Sequence, residues 1–421
     1  MSAAALALAA GCVASAQTAA PRAGALDRAR LPAELAALTD EELGRVARMS
    51  PLPPLPADPT NRVADSDIAS GMGHALFFDR RLSSVGISCA TCHDPAKAFT
   101  DGLPLARGVE TARRNAPTVI DSARRRWIGW DGKFDSLWSQ ALSPIENPVE
   151  MGSSRSALIE LVRGDPSYRA TYAKLFGELP AAGAPDAEID RATANALKTL
   201  GAYQRRLASG PAPIDRFVAA LKGDPSGDID ALSPSARRGL ATFVSRGGCF
   251  QCHRGPSFTD EEFHALGLVG ANGRVPDDPA RLAAVDFVKA NPFNASGAFS
   301  DAPDSPKGAL VRGLKRSSEL FGQFRTPPLR GAARTAPYMH DGRFATLDDV
   351  VRFYDTLEGA APIGHHGEMV LEPLGLGEAG RADLVAFLRS LTGEPPDPAW
   401  TVDPNPKPAA PAASPAPAPA R

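Results

Sequence analysis

The chain has 421 residues, 43% of them hydrophobic, which is enough for two domains. A formal charge of −2 gives no basic surplus for binding nucleic acid or an anionic membrane surface. No run of about 20 apolar residues follows the N-terminus, so no spanning helix is expected.

The start of the chain is small and apolar from Ala3 to Ala10. Ala14-Ser15-Ala16 forms an A-x-A pattern, so residues 1–20 read as a signal peptide of an exported, periplasmic protein. Cys12, after Ala10-Gly11, keeps open a lipoprotein signal ending before it. Residues 21–59 then form an N-terminal extension.

Residues 71–79 predict a short helix with Leu76, Phe77 and Phe78 as packing residues. Asp135 can cap a short helix carrying Leu137 and Gln140, with Pro144 ending it. In residues 191–207, Leu197, Leu200, Tyr203 and Leu207 recur at helical spacing. Gly210-Pro211 follows, and the boundary between domains 60–210 and 211–395 is placed there. Residues 235–246 form another helix, stopped by Gly247-Gly248. Residues 255–325 are Gly/Pro/Asp-rich and weakly periodic, which predicts a long functional loop region. Thr346 is placed to cap a helix that sets Leu347, Val350, Val351 and Tyr354 on one face. Leu384, Phe387, Leu388 and Leu391 mark a last amphipathic helix ending at Gly393. No segment alternates as a strand. Residues 396–421 are Pro/Ala-rich and are expected to be a disordered tail.

Two C-x-x-C-H motifs dominate the chemistry: Cys89-Ala90-Thr91-Cys92-His93 and Cys249-Phe250-Gln251-Cys252-His253. The spacing fits covalent attachment of two c-type haems. One short turn brings two thiols to the haem vinyls, and the next side chain, His93 or His253, falls under the iron. A zinc site or a redox disulfide is the alternative. A histidine directly after both pairs is not expected for zinc.

Several strings resemble the bacterial di-haem cytochrome c peroxidase family, which includes the MauG-type maturation enzymes. They are Leu76-Phe77-Phe78-Asp79, Arg114-Asn115-Ala116-Pro117-Thr118, Trp130-Asp131-Gly132, the stretch from Gln140 to Met151, and Arg334-Thr335-Ala336-Pro337-Tyr338-Met339-His340-Asp341-Gly342. The resemblance covers residues 71–393. It implies an all-α fold of two cytochrome-c-like domains, each with one haem, plus long irregular loops. The N-terminal haem would be peroxidatic, and the C-terminal haem would transfer and store electrons.

By that resemblance Glu150 moves the proton needed to break the O–O bond, Gln140 positions peroxide and Pro144 shapes the distal wall. Taken alone, Glu150 reads as a solvated loop acid. Many family members close the peroxidatic iron with a histidine in the loop after the motif. Val109 stands there and cannot ligate, so the first haem is expected to be five-coordinate or water-bound when oxidised. The second iron's distal ligand aligns with Tyr354, fourteen residues after His340. A buried core tyrosine is the plain alternative, and Met339 and Met369 are possible substitutes. A tyrosinate would lower the haem potential relative to methionine.

Trp130 matches the tryptophan between the haems, whereas Trp127 and Trp138 read as core. Asn115, Thr335 and Pro337 match the family's calcium ligands, the last two through carbonyls. Arg113 and Arg114 are candidate propionate partners, and Arg124 to Arg126 read equally as a solvated basic run. His74 reads as structural and His340 as lying near the haems. His264, His365 and His366 receive no role. Gly247 replaces the tryptophan through which the methylamine-dehydrogenase maturation enzyme passes holes to its protein substrate, which puts that substrate and exit route in doubt.

The expected function is periplasmic reduction of hydrogen peroxide. Electrons would come from a small cytochrome c or cupredoxin, or from an oxidisable protein substrate. A conventional cytochrome c peroxidase needing reductive activation and a non-catalytic di-haem electron carrier stay open. The resemblance allows a homodimer, for which the sequence shows no interface signal.

Overall fold

The computed structural model describes residues 26–270, 273–274, 278–362 and 371–405. The expected signal peptide, Cys12, His365, His366, Met369 and the end of the tail lie outside them.

The described residues are mostly helical. The order is α1 (Asp40–Ala47), α2 (Asp67–Phe78), α3 (Cys89–Cys92), α4 (Leu137–Glu146), α5 (Arg155–Gly164), α6 (Pro166–Phe176), α7 (Asp186–Gln204), α8 (Pro213–Leu221) and α9 (Pro234–Val244). Then come β1 (Phe263–His264), α10 (Arg281–Ala290), α11 (Pro306–Gly313), β2 (Phe324–Arg325), α12 (Leu347–Thr356) and α13 (Gly377–Arg389).

Two cores follow one plan. In the first, α2 crosses α7, burying Leu76, Phe77, Leu197, Leu200 and Tyr203 with Trp138. In the second, α9 crosses α13, burying Leu240, Phe243, Phe387 and Leu388. Glycine makes both crossings close. A Cβ on Gly73 would lie 1.9 Å from the Thr199 carbonyl oxygen, and one on Gly239 would lie 2.0 Å from that of Asp383. Each domain is thus a cytochrome-c-like helix pair with a C-x-x-C-H turn against it, which is the expected fold class.

Three segments cross the expected division of the chain. Leu35, Leu38, Leu43, Val46 and Met49 of the N-terminal extension bury in the second core, not the first. Residues 281–313 fold back on the first domain. Phe293 enters its core, Val288 and Val311 cover Trp127, and the Ala295 amide donates to Asp135 Oδ2 at 2.6 Å. Residues 398–405 also return to the first domain, where the Tyr203 hydroxyl donates to Trp400 O at 2.8 Å and Asn405 Nδ2 to Ala75 O at 3.0 Å.

Several local expectations change. Residues 255–325 are not loop throughout: they contain α10 and α11, because Val288 and Val311 find an apolar surface at Trp127 of the first domain. β1 and β2 form a short antiparallel ladder, Phe263 opposite Arg325. Ser136, not Asp135, caps α4, since the Asp135 carboxylate is taken by Ala295. Pro144 lies within α4 and does not end it. The helix lacks only the bond from residue 144 and closes with the Asn147 amide on Ser143 O at 2.9 Å. The tail does not begin at Pro396, because Trp400 is an anchor that composition alone conceals.

Candidate haem centres

In the first motif, α3 makes one turn that turns Cys89 and Cys92 onto a single cavity, which His93 also lines. His93 Nδ1 lies 3.1 Å from Phe99 O, and in the second motif His253 Nδ1 lies 3.0 Å from Phe258 O. With Nδ1–H donated to a carbonyl, each Nε2 keeps its lone pair for a metal. Phe99 and Phe258 hold left-handed φ angles of 59° and 54°, a strained state for a bulky residue. Both side chains are buried, and the turned backbone brings each carbonyl to its histidine. This repeated device was missed from the sequence; its only trace is a phenylalanine five or six residues past each histidine.

The four motif cysteines are unpaired. Burial pushes the Cys89 and Cys249 thiols up to about 12 and Cys92 to about 11. Burial also holds His93 and His253 below the usual histidine value, in the neutral form that ligates iron.

The first cavity is further lined by Gln140, Pro144 and Glu150. Asn147 Nδ2 donates to Glu150 Oε1 at 2.7 Å. The 106–112 loop clamps the same segment, the Glu110 amide donating to Val149 O at 2.9 Å. Gly108 permits this approach, since a Cβ there would lie 2.3 Å from Glu150 O. Val109 is 45% exposed and does not line the cavity.

The second cavity, about 490 Å³, is lined by Cys249, Cys252 and His253, and by Leu347, Val350, Val351 and Tyr354 of α12. Thr346 does cap α12, its hydroxyl accepting from the Asp349 amide at 3.1 Å. Burial pushes the Tyr354 phenol above its usual value. Met339 lines the same cavity.

That cavity runs on between the domains, where Asn115, Trp130, Thr335, Pro337 and His340 share its wall. Trp130 Nε1 donates to Asn115 O at 2.9 Å, and the Asn115 amide donates to His340 O at 2.8 Å. His340 stacks on Phe324 at 3.7 Å, and burial lowers its pKa to about 4.

Arg114 is not available as a propionate partner: it is held by Asp131 at 2.6 Å and Asp278 at 2.8 Å. Arg125, read as equally part of a solvated run, is instead half-buried at the cavity wall with its Nε enclosed and unpaired, and desolvation lowers its pKa to about 10. Arg325 is only 3% exposed and lines the same wall. Arg125 also donates to Thr118 O at 3.0 Å, and the carboxylates near the two cations are Glu261 and Asp121, so the cavity wall suits an anionic ligand. Haem propionates meet that need, so the residues present fit the cofactor. His264 also lines this cavity, where its Nε2–H donates to Asp260 Oδ2 at 3.0 Å, a placement the sequence did not signal.

Helix pairs, twinned attachment motifs and two cavities define a protein that carries two covalent c-type haems. The model of the di-haem cytochrome c peroxidase family matches residues 69–224. The chain is 35% identical over 349 residues to cytochrome-c peroxidase IdrP1 of Denitromonas iodatirespirans, covering 82% of this chain and 86% of the relative. It is 34% identical over 329 residues to methylamine utilization protein MauG of Methylorubrum extorquens, covering 77% and 78%. A solved MauG-like protein associated with microbial copper homeostasis matches with a TM-score of 0.62 and 26% identity, covering 84% of this chain and 98% of that one. The chain belongs to the di-haem cytochrome c peroxidase and MauG family, and is an oxidoreductase of the peroxidase type. Among the described residues no helix is long and apolar enough to cross a membrane.

Proposed function

We propose that this protein is a periplasmic MauG-like peroxidase that reduces hydrogen peroxide at the first centre and stores and transfers electrons at the second. Haem iron on His93 and His253 supplies peroxide binding and electron storage when the cofactors are attached. The observation that carries the reading is the Glu150 carboxylate in the same cavity as His93, with Val109 outside it. Glu150 would take a proton from one peroxide oxygen and return it to the other, which leaves as water, and two electrons with two protons would then carry the remaining oxygen to a second water. The Asn147 bond fixes one carboxylate oxygen and leaves the other for the proton. Gln140 offers its amide to peroxide, and Pro144 fills the wall beside it.

Trp130 spans the route between the centres, held by its bond to Asn115. Tyr354, which lines the second cavity with His253, would hold the second iron through its phenol oxygen, and the iron's charge would favour the phenolate there despite burial. Asn115 Oδ1 with the Thr335 and Pro337 carbonyls would hold a calcium ion that keeps this wall in register. A small cytochrome c, a cupredoxin or a protein substrate returns the electrons. The test is peroxide reduction by the di-haem protein against its Glu150→Gln variant; equal rates would refute the role of Glu150. Met339 on the second cavity wall favours a second reading, a methionine-ligated, reductively activated peroxidase. An unchanged low-spin spectrum in Tyr354→Phe would favour it.

A further inference from the structure

A run of packed rings leads from the first centre to the protein surface. Phe77 lies 6.4 Å from the His93 ring, Tyr203 lies 5.0 Å from Phe77, and Trp400 lies 6.3 Å from Tyr203, centroid to centroid. His74 stacks on Tyr203 at 4.8 Å and meets Trp400 at 5.5 Å, giving a parallel second contact. All these separations fall within the roughly 4.5–7 Å of directly packed rings, so no gap interrupts the run. Phe77 and Tyr203 are sealed in the core at 2% and 0% exposure, while Trp400 is partly exposed beside Val402 at 60%. The chain spends a return crossing, residues 398–405, to place this indole.

We propose that Trp400 is a redox-active surface residue through which one-electron donors feed the first haem centre. The idea rests on the peroxidase reading above. Peroxide is the oxidant. The Trp400 indole loses one electron, which passes over Tyr203 and Phe77 to the oxidised centre, and an external one-electron donor refills the indole. Two such passages, with two protons from solvent, complete the conversion of one hydrogen peroxide to two waters.

Tyr203 bridges and does not hold the hole. Its hydroxyl donates to a backbone carbonyl, Trp400 O, which is no base for the proton that an oxidised phenol must shed. A tryptophan can hold the charge with its proton in place. The Arg206 guanidinium lies 5.5 Å over the Trp400 ring and would oppose that charge, but it is paired with Asp67. Burial holds His74 below the usual histidine value, so its ring adds no second cation at neutral pH.

The experiment uses the di-haem protein with peroxide and no reductant. Peptide mass spectrometry maps oxygen added to tryptophan, and EPR follows the ferric signals and their return. The expected result is oxidation concentrated at Trp400 over Trp127 and Trp138. In Trp400→Phe the ferric signals should be lost as before, but their recovery should slow several-fold. Tyr203→Phe should keep the Trp400 yield, and Tyr203→Leu, which opens the run, should suppress it. Loss of the ferric signals with Trp400 unmodified and recovery unchanged in Trp400→Phe would overturn the inference and leave the peroxidase reading standing. Ferric signals indifferent to peroxide would overturn both.

Discussion

The Val109 amide donates to the Glu150 carbonyl at 2.9 Å, so the loop after the first motif is tied to the segment that carries Glu150. The Val109 side chain stands outside the cavity, and the Glu150 side chain lines it. In the proposed reading, an open iron and a placed proton carrier would be one local arrangement.

Glu150→Gln keeps the size and the Asn147 contact but removes the base. The expected loss in the peroxide step is roughly 10²–10⁴-fold. Stopped-flow mixing of ferric protein with peroxide measures it, and haem content should not change.

Gly108→Ala tests the clamp. Its Cβ would meet Glu150 backbone at 2.3 Å, and that backbone cannot swing aside as a side chain can. A cost of about 1–3 kcal/mol is expected, with slower reaction with peroxide, because Glu150 is displaced. Denaturant unfolding and the same stopped-flow assay read the two effects separately.

Arg125→Leu removes a half-buried cation from the wall between the centres. A nearby positive charge favours the reduced, less positive haem, so its removal should lower a haem potential. Spectroelectrochemical titration reads the shift; potentials unchanged from wild type would mean that Arg125 does not face a propionate.

Much of this was readable locally. The motif cysteines and histidines that the spacing singled out line the two cavities, and the period of residues 346–354, which puts Tyr354 on the inner face with Val350 and Val351, survives in the structure. Phe99 and Phe258 were illegible because their role lies in backbone φ, not in side-chain type. Arg125 and Arg325 were illegible because an arginine's burial is set by partners far away in the chain. Leu35 to Met49 and Trp400 show the same limit: short apolar segments declare that they bury, but not in which core.

Chelation of calcium tests the interdomain wall. Removing the calcium proposed at Asn115, Thr335 and Pro337 should loosen the Trp130 bond to Asn115 and slow electron sharing between centres. Turnover should fall on chelation and return when calcium is added back; activity indifferent to the chelator would remove calcium from the account.

The most direct test of an open first haem and a tyrosine-ligated second haem is EPR of the fully oxidised protein, before and after one equivalent of peroxide without reductant. The account predicts one high-spin and one low-spin ferric signal, both lost on peroxide addition. Two low-spin signals that persist would contradict it.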